Sequence, residues 1–187
     1  MCTNISNRQL GFTLAELLVV LLIIGEISAF SIPKIIFAAQ QQNKTAIFKE
    51  TLGAISYVFY EGFLRGDIRA GTNGSYILSH MNSVKLCNTN ANTEGCWPQS
   101  GAENTEPGMV LHNGATVGGL VDNGGTYNGF IMDWNGPAGT NTQGDDQMYL
   151  YMCYGSTSCV VAGSTIKPGT IGPGGAANIA LYQSIFQ

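Results

Sequence analysis

The feature that most constrains this chain is an apolar run close to its start. The run extends over 25 residues, from Phe12 to Ile36, and its first 22 residues contain two acids and no base. As a helix rising about 1.5 Å per residue, it would be roughly 37 Å long. The hydrocarbon core of a bilayer is about 30 Å thick. The run therefore predicts either a membrane-spanning helix or a signal sequence.

A conventional secretory signal is the alternative, because Ser28, Ala29 and Ser31 offer small residues for cleavage after the apolar run. The run is long for such a signal, is interrupted by Glu16, and continues directly into a helical pattern. We therefore favour a helix that remains in the mature chain.

Composition narrows the classes of function. A length of 187 residues indicates one ordinary domain with an appendage. With 8 Lys and Arg residues and a formal charge of −4, the chain has no basic stripe for phosphates, so no nucleic-acid partner is expected. Two histidines leave little room for a catalytic relay, and the sequence has no nucleophile elbow, P-loop or zinc-protease motif. The sequence therefore does not predict an enzyme.

A short polar leader, residues 1–11, precedes the run, and the junction reads Gly-Phe-Thr-Leu-Ala-Glu at positions 11–16. This junction resembles the amino terminus of type IV pilins and of the pseudopilins of type II secretion. The resemblance implies that a prepilin peptidase cleaves between Gly11 and Phe12 and then methylates the new amino group of Phe12. Glu16 becomes the fifth mature residue, and Pro33 falls at the twenty-second, where the family often has a helix-kinking proline.

The basic residues do not support the orientation independently. Arg8 is the one basic residue in the leader, whereas Lys34, Lys44 and Lys49 follow the apolar run. Because charge bias sets membrane orientation, the placement of the amino terminus in the cytoplasm rests on the resemblance.

Two carboxylates lie inside the apolar run. A charge at the centre of a membrane helix costs roughly 2.5–3.5 kcal/mol on insertion scales, so such residues usually have a partner. For Glu16 the resemblance implies the free amino terminus of a neighbouring subunit. The alternative is an acid favoured by the dipole at the helix start. Glu26 receives no role, since snorkelling, protonation and pairing between subunits all stay open.

The helix is predicted to continue to about Arg65. One apolar face recurs at steps of four and three, and it consists of Phe48, Leu52, Ile55, Phe59 and Phe63. The predicted organisation is a leader at 1–11, a transmembrane and filament-core helix at 12–36, an amphipathic continuation at 37–66, and a Gly/Asn-rich β domain at 67–187. A long helix followed by strands indicates an α+β fold, which is also the pilin-like roll. The clearest strands are predicted at 126–134 and 147–153. The Gly-Thr-Asn-Gly cluster at 71–74 is predicted to be a break, and the Gly/Pro-rich stretch at 170–176 is predicted to be irregular.

Cysteine usage favours an exported domain. Cys2 lies in the leader, and the four remaining cysteines are Cys87, Cys96, Cys153 and Cys159. An even number in an extracytoplasmic domain indicates two disulfides. The simplest pairing joins neighbours in sequence, the two crossed pairings stay open, and a zinc site is disfavoured because neither pair has the usual spacing of zinc ligands.

An acidic Gly-rich loop is a candidate calcium site. Its oxygen-bearing side chains are Asp133, Asn135, Asn141, Asp145 and Asp146. Carboxylate and amide oxygens are ligands that calcium prefers, and the pattern is similar to a loop of pseudopilins and minor pilins, some of which bind calcium there. The alternative is a turn loop whose Asp and Asn side chains bond their own backbone.

Together these features predict a structural subunit of a type IV pilus-like filament. Its expected partners are a prepilin peptidase, other pilin subunits and, before assembly, the inner membrane, with a later location in an extracellular or periplasmic filament. No cofactor is expected beyond the candidate calcium. The alternatives are a type II secretion pseudopilin and a membrane-anchored adhesin or binding module that does not polymerise.

Overall fold

The computed structural model describes residues 13–97, 106–122, 124–136 and 146–186. The chain divides into two compact units, Met1–Gln42 and Asn43–Gln187. The predicted leader, together with Phe12, lies outside the described residues. The layout, a long N-terminal helix and an antiparallel sheet, confirms the predicted α+β class.

Helix α1, Leu14–Arg65, has 52 residues and contributes to both units. Its first part is long and apolar enough to cross a membrane by length and composition, with a mean hydropathy of 2.2. None of the apolar window is buried against the rest of the protein. The helix is continuous through position 33, and the side chain of Pro33 lies outside the described part.

In the second unit, α1 packs its predicted apolar face into the core. Phe48, Ile55 and Phe59 are completely buried, and Leu52 is 5% exposed. Phe63 is half-buried and packs against the same core. The helix ends where Gly66 takes a positive φ of 76° and Asp67 N donates to Gly62 O at 2.9 Å. A left-handed glycine after the last turn is a common helix end, because other residues are strained there.

The remaining elements are short. They are α2 Asn73–His80, β1 Ser83–Cys87, β2 Gly108–Leu111, β3 Thr116–Gly118, β4 Tyr127–Asp133, β5 Gln147–Cys153, β6 Cys159–Val161, β7 Ser164–Ile166, β8 Thr170–Pro173 and α3 Ala176–Phe186. Six strands form one antiparallel sheet in the order β1-β2-β3-β4-β5-β8. Strands β6 and β7 form a separate hairpin.

Alternation along the strands gives the large sheet two different faces. The inner face packs with α1 and α3 and includes Met109, Val117, Phe130, Leu150 and Met152, all nearly or completely buried. This face forms the main core of the second unit.

The outer face carries two disulfide-closed segments. We call residues 87–97 the first cover; this segment is closed by the disulfide Cys87–Cys96, and the side chain of Trp97 packs on Gly118 of β3. The second cover, residues 153–166, is closed by Cys153–Cys159 and lays Ile166 over Gly172 of β8. The disulfides are therefore those between sequence neighbours.

Two elements differ from the sequence-based expectation. The glycine cluster at 71–74 was predicted to be a break, yet Asn73 and Gly74 begin α2. A Cβ at Gly74 would lie 2.3 Å from Leu120 O, so this glycine permits close backbone packing inside a helix. The Gly/Pro-rich stretch after Thr170 was predicted to be irregular, but it supplies strand β8 at the edge of the sheet. Both differences come from tertiary contacts that local composition does not reveal.

Candidate functional site

The start of α1 places Glu16 in a closed hydrogen-bonding arrangement with Thr13. Thr13 N donates to Glu16 Oε2 at 2.7 Å, and Thr13 Oγ1 donates to the same oxygen at 2.8 Å. Glu16 N is 3.3 Å from Thr13 Oγ1, which accepts its hydrogen bond. This is a capping box, in which the residue before the helix and the third helical residue satisfy each other's backbone N–H groups.

Within its own chain, therefore, Glu16 serves the helix start, which was the alternative interpretation of this acid. The capping contact uses one oxygen of a carboxylate that can accept about four hydrogen bonds. A second donor from a neighbouring chain is compatible with that capacity. Gly11 and Phe12, the predicted processing residues, lie outside the described part, and Glu26 is exposed on the helix.

The second candidate site lies where β4 ends and β5 begins. Asp133 is completely buried and Asp146 is 3% exposed. Asn135 connects them, since its backbone N donates to Asp133 Oδ1 at 3.0 Å and its Nδ2 lies 3.4 Å from Asp146 Oδ2. Gln147 Nε2 donates to Asp133 Oδ2 at 3.3 Å. Three of the five predicted residues thus come together, while Asn141 and Asp145 lie outside the described residues.

The electrostatics of this cluster disfavour two negative charges. Burial raises the pKa of Asp133 to about 6, and the nearby charge of Asp146 acts in the same direction. The hydrogen bonds from Gln147 and Asn135 act against this shift. A cation, or a proton, at this position would relieve the cost of burying the Asp133 charge.

Two buried oxygens in the same region, Asn135 Oδ1 and Thr116 Oγ1, have no hydrogen-bond partner among the described residues. Thr116 lies directly opposite Asp133 in the β3–β4 ladder, so the two side chains are on the same face of the sheet. Sequence reasoning missed Thr116, because only the register of the strands places it beside Asp133. Within the described residues, no three Asp, Glu, His or Cys side chains group as a metal site. The cluster therefore offers two carboxylates and two neutral oxygens.

Comparison with known proteins gives one match. A family model for the prokaryotic N-terminal methylation motif matches residues 6–25. This segment includes Gly11, Phe12 and Glu16 and ends before Pro33. No curated protein and no solved structure matches the chain.

The matched motif is the signature of type IV pilins and pseudopilins, and it confirms the resemblance predicted from positions 11–16. The motif points to structural subunits rather than enzymes, and it implies processing by a prepilin peptidase and assembly with other pilin subunits. With the long apolar helix, it fits a protein that is membrane-anchored before assembly. The chain thus carries the N-terminal signature of type IV pilins and pseudopilins at residues 6–25.

Proposed function

We propose that this chain is a structural subunit of a type IV pilus-like filament, processed at Gly11–Phe12 and polymerised through the first part of α1. The observation that carries this proposal is the methylation motif at residues 6–25, which overlaps the start of a long, unburied apolar helix. The inner membrane holds the subunit first, and the filament outside that membrane holds it afterwards.

The apolar surface of α1 supports the proposal energetically. Thirteen large apolar side chains between Leu14 and Ile36 are each 47–77% exposed. Full burial of one such side chain stabilises by about 1.5–3 kcal/mol, so covering this set is worth on the order of 20 kcal/mol. A surface of this size needs lipid or neighbouring helices around it. A filament core of packed helices replaces the lipid without exposing these side chains to water.

Glu16 gives the polymer a polar contact in an apolar environment. The mature chain would begin at Phe12, whose amino group can pair with Glu16 of a neighbour. Removal of a carboxylate from water costs several kcal/mol unless it is paired, so such a pair favours one axial register over others. In the unassembled subunit, the capping bonds from Thr13 reduce this cost.

The processing step is tested by co-expression with a prepilin peptidase, followed by intact mass measurement and amino-terminal sequencing. The expected product begins at Phe12 and carries one additional methyl group. Substitution of Gly11 by a bulky residue should block cleavage. The matched control is Gly25→Ala in α1, where an added Cβ has nothing within 4 Å and cleavage should continue. A product that retains Met1, or one cut near Ser31, would contradict the proposal.

We further propose that the Asp133 cluster holds a calcium ion. Calcium takes six to eight oxygen ligands, and Asp133, Asp146, Asn135 Oδ1 and Thr116 Oγ1 would supply four. The unpartnered buried oxygens of Asn135 and Thr116 favour this assignment over a self-satisfied turn loop. Bound calcium would neutralise two buried carboxylates and so stabilise the end of β4 against the start of β5.

The calcium proposal is tested by thermal unfolding of the full chain in millimolar calcium and in excess chelator. A ligand at 100 times its Kd stabilises by about 2.7 kcal/mol, so a rise of several degrees in Tm is expected. Asp133→Asn should abolish the difference, whereas the exposed Asp67→Asn should preserve it. Equal Tm values in calcium and chelator for the unmodified chain would overturn the proposal.

A further inference from the structure

A pocket lies on the outer face of the sheet, between the two covers. It has a volume of about 210 Å³, and its lining includes Glu106, Gly119, Gly129, Ile131, Tyr149 and Tyr151. All of these residues belong to the second unit. The pocket is separate from both candidate sites described above.

The two tyrosines that line the pocket, Tyr149 and Tyr151, pack against different covers. Tyr149 packs against the cluster of the first cover, which contains Cys87, Cys96 and Trp97. Tyr151 packs against the cluster of the second cover, which contains Cys153 and Cys159. Because the two residues are separated by one position on β5, their side chains project from the same face, roughly 7 Å apart along the strand. The pocket therefore lies where the two disulfide-bounded clusters meet.

Glycines hold the Tyr151 ring in position. Gly129 is the direct partner of Tyr151 in the β4–β5 ladder, and a Cβ there would lie 2.9 Å from the ring. A Cβ at Gly174 would lie 2.3 Å from the opposite edge of the same ring. The ring of Tyr127 meets Tyr151 edge-on, with centroids 6.0 Å apart. Glycine inside a strand often marks a close approach by a ligand or another group. Here the absence of a side chain at Gly129 leaves room for the ring of Tyr151.

Glu106 contributes a carboxylate to the lining of the pocket. Among the described residues that line the pocket, it is the one ionisable residue other than tyrosine. Its backbone oxygen accepts a hydrogen bond from Ala91 N at 2.9 Å, which ties it to the first cover. None of the described lining residues is basic. The described lining thus places a carboxylate and two aromatic rings around a largely apolar space.

This chemistry selects a class of ligand. The faces of aromatic rings attract cations, and a quaternary ammonium group among aromatic side chains is the recurrent example. A sugar would need several convergent hydrogen-bonding groups, whereas this pocket combines one carboxylate, two tyrosines and an apolar floor. Its volume is below the 300–1,000 Å³ typical of pockets for drug-sized ligands, so it suits a head group rather than a large molecule.

We propose that the outer-face pocket binds a small organic cation, with a quaternary ammonium group held against Tyr149 and Tyr151 and its charge balanced by Glu106. Such a group occurs both in soluble choline-like compounds and in choline lipid headgroups. The proposal does not depend on filament assembly, because all its residues lie in one folded unit.

The test is a titration of the full chain with choline, in micelles of a polyoxyethylene detergent, followed through the methyl NMR signals of isoleucine. The Ile131 signal should shift and saturate, while that of Ile77, buried in the core, should not move. The neutral carbon analogue of choline, with a tert-butyl group in place of trimethylammonium, should bind about tenfold more weakly or worse, because it keeps the shape but lacks the positive charge that the aromatic rings attract.

Variants separate the contribution of the carboxylate to choline binding from that of the aromatic rings. Glu106→Gln should weaken choline binding about tenfold, Tyr149→Leu should abolish it, and Tyr149→Phe, which keeps the ring, should restore most of it. Glu50→Gln, at an exposed acid elsewhere, should leave binding unchanged. Addition of a phosphocholine lipid to the micelles shows which kind of molecule carries the bound ammonium group. If the lipid displaces free choline, the ligand is a lipid headgroup; if it does not, the ligand is a soluble cation.

Three outcomes would overturn the proposal. The first is no saturable shift of Ile131 with choline. The second is equal binding of choline and its neutral analogue, which would indicate an apolar pocket without charge recognition. The third is binding of neutral sugars in preference to choline.

Discussion

Thr13 and Glu16 form a reciprocal pair at the start of α1, with Glu16 Oε2 within 2.8 Å of both donors of Thr13. The pair caps α1, whose first residue, Leu14, would be the third residue of the mature chain. The same carboxylate that is proposed to receive a neighbour's amino group is thus already fixed in orientation by its own chain. A pre-oriented acceptor loses less side-chain freedom when the neighbouring subunit arrives.

The capping box predicts a local effect of Thr13→Ala. Loss of an N-cap side chain costs about 0.5–2 kcal/mol, so the first turn of α1 should open more often. Amide hydrogen exchange at residues 14–17 should become about three- to thirtyfold faster in the variant, with no change beyond the second turn. Thr13→Ser keeps the hydroxyl and should exchange like the unmodified chain. Equal exchange in all three proteins would show that the capping bonds contribute nothing.

Gly74 predicts a steric cost. A Cβ at this position would meet the backbone oxygens of Leu120 and Val121 at 2.3 and 2.4 Å, so Gly74→Ala requires a backbone shift. Overpacking of this kind usually costs about 1–3 kcal/mol, and denaturant unfolding should show that loss. The control is Gly53→Ala on α1, where nothing lies within 4 Å and alanine favours the helix by up to about 1 kcal/mol. A loss of stability in the control, or none in Gly74→Ala, would contradict the packing described.

The two disulfides are expected to contribute similarly to the free energy of unfolding. The bonds span 9 and 6 residues, and loop-closure entropy assigns each about 2–3 kcal/mol of stability. Double replacement of Cys153 and Cys159 by serine should therefore cost about as much as double replacement of Cys87 and Cys96. Ser158→Ala, in the same loop as the second pair, should be neutral. Unfolding in denaturant, without reductant, measures each loss, and unchanged stability in either double variant would contradict this prediction.

Glu94 predicts a pH dependence of the first cover. Its carboxylate accepts hydrogen bonds from the backbone N–H groups of Asn88, Thr89 and Asn90 and from the Thr89 hydroxyl. The Thr89 hydroxyl is the largest cause, and together these bonds lower the pKa of Glu94 to about 2. The folded pKa lies below the ordinary value of 4.5, so this stabilisation is present above pH 4.5 and is lost as the pH falls towards 2.

The matching experiment compares Tm of the unmodified chain with that of Glu94→Gln across this range. The difference should be largest near neutral pH and should shrink as the pH falls from 4.5 towards 2. The exposed Glu50→Gln should show no such convergence. A difference that is independent of pH would mean that the charge of Glu94 does not hold the first cover.

The sequence predicted those elements whose pattern lies within a short segment or repeats along a long one. The apolar face of α1 has a helical period, and strand β5 was placed at 147–153, as observed. Sequence-neighbour cysteines also proved to be the disulfide pairs. Helix α2 was missed, because Gly74 breaks helices on average but here permits the approach of Leu120. Thr116 was missed at the Asp133 cluster because its position depends on strand register, which composition does not encode.

The incorporation of subunits into filaments is the direct test of assembly through α1. Cells that contain a prepilin peptidase and a pilus assembly system would express the unmodified chain or Glu16→Gln, and sheared surface filaments would be analysed by electron microscopy and mass spectrometry. Assembly through α1 predicts filaments built from chains that begin at methylated Phe12, whereas Glu16→Gln should be cleaved yet remain in the membrane. A correctly cleaved, unmodified chain that never enters filaments, or a Glu16→Gln variant that enters them equally well, would contradict it.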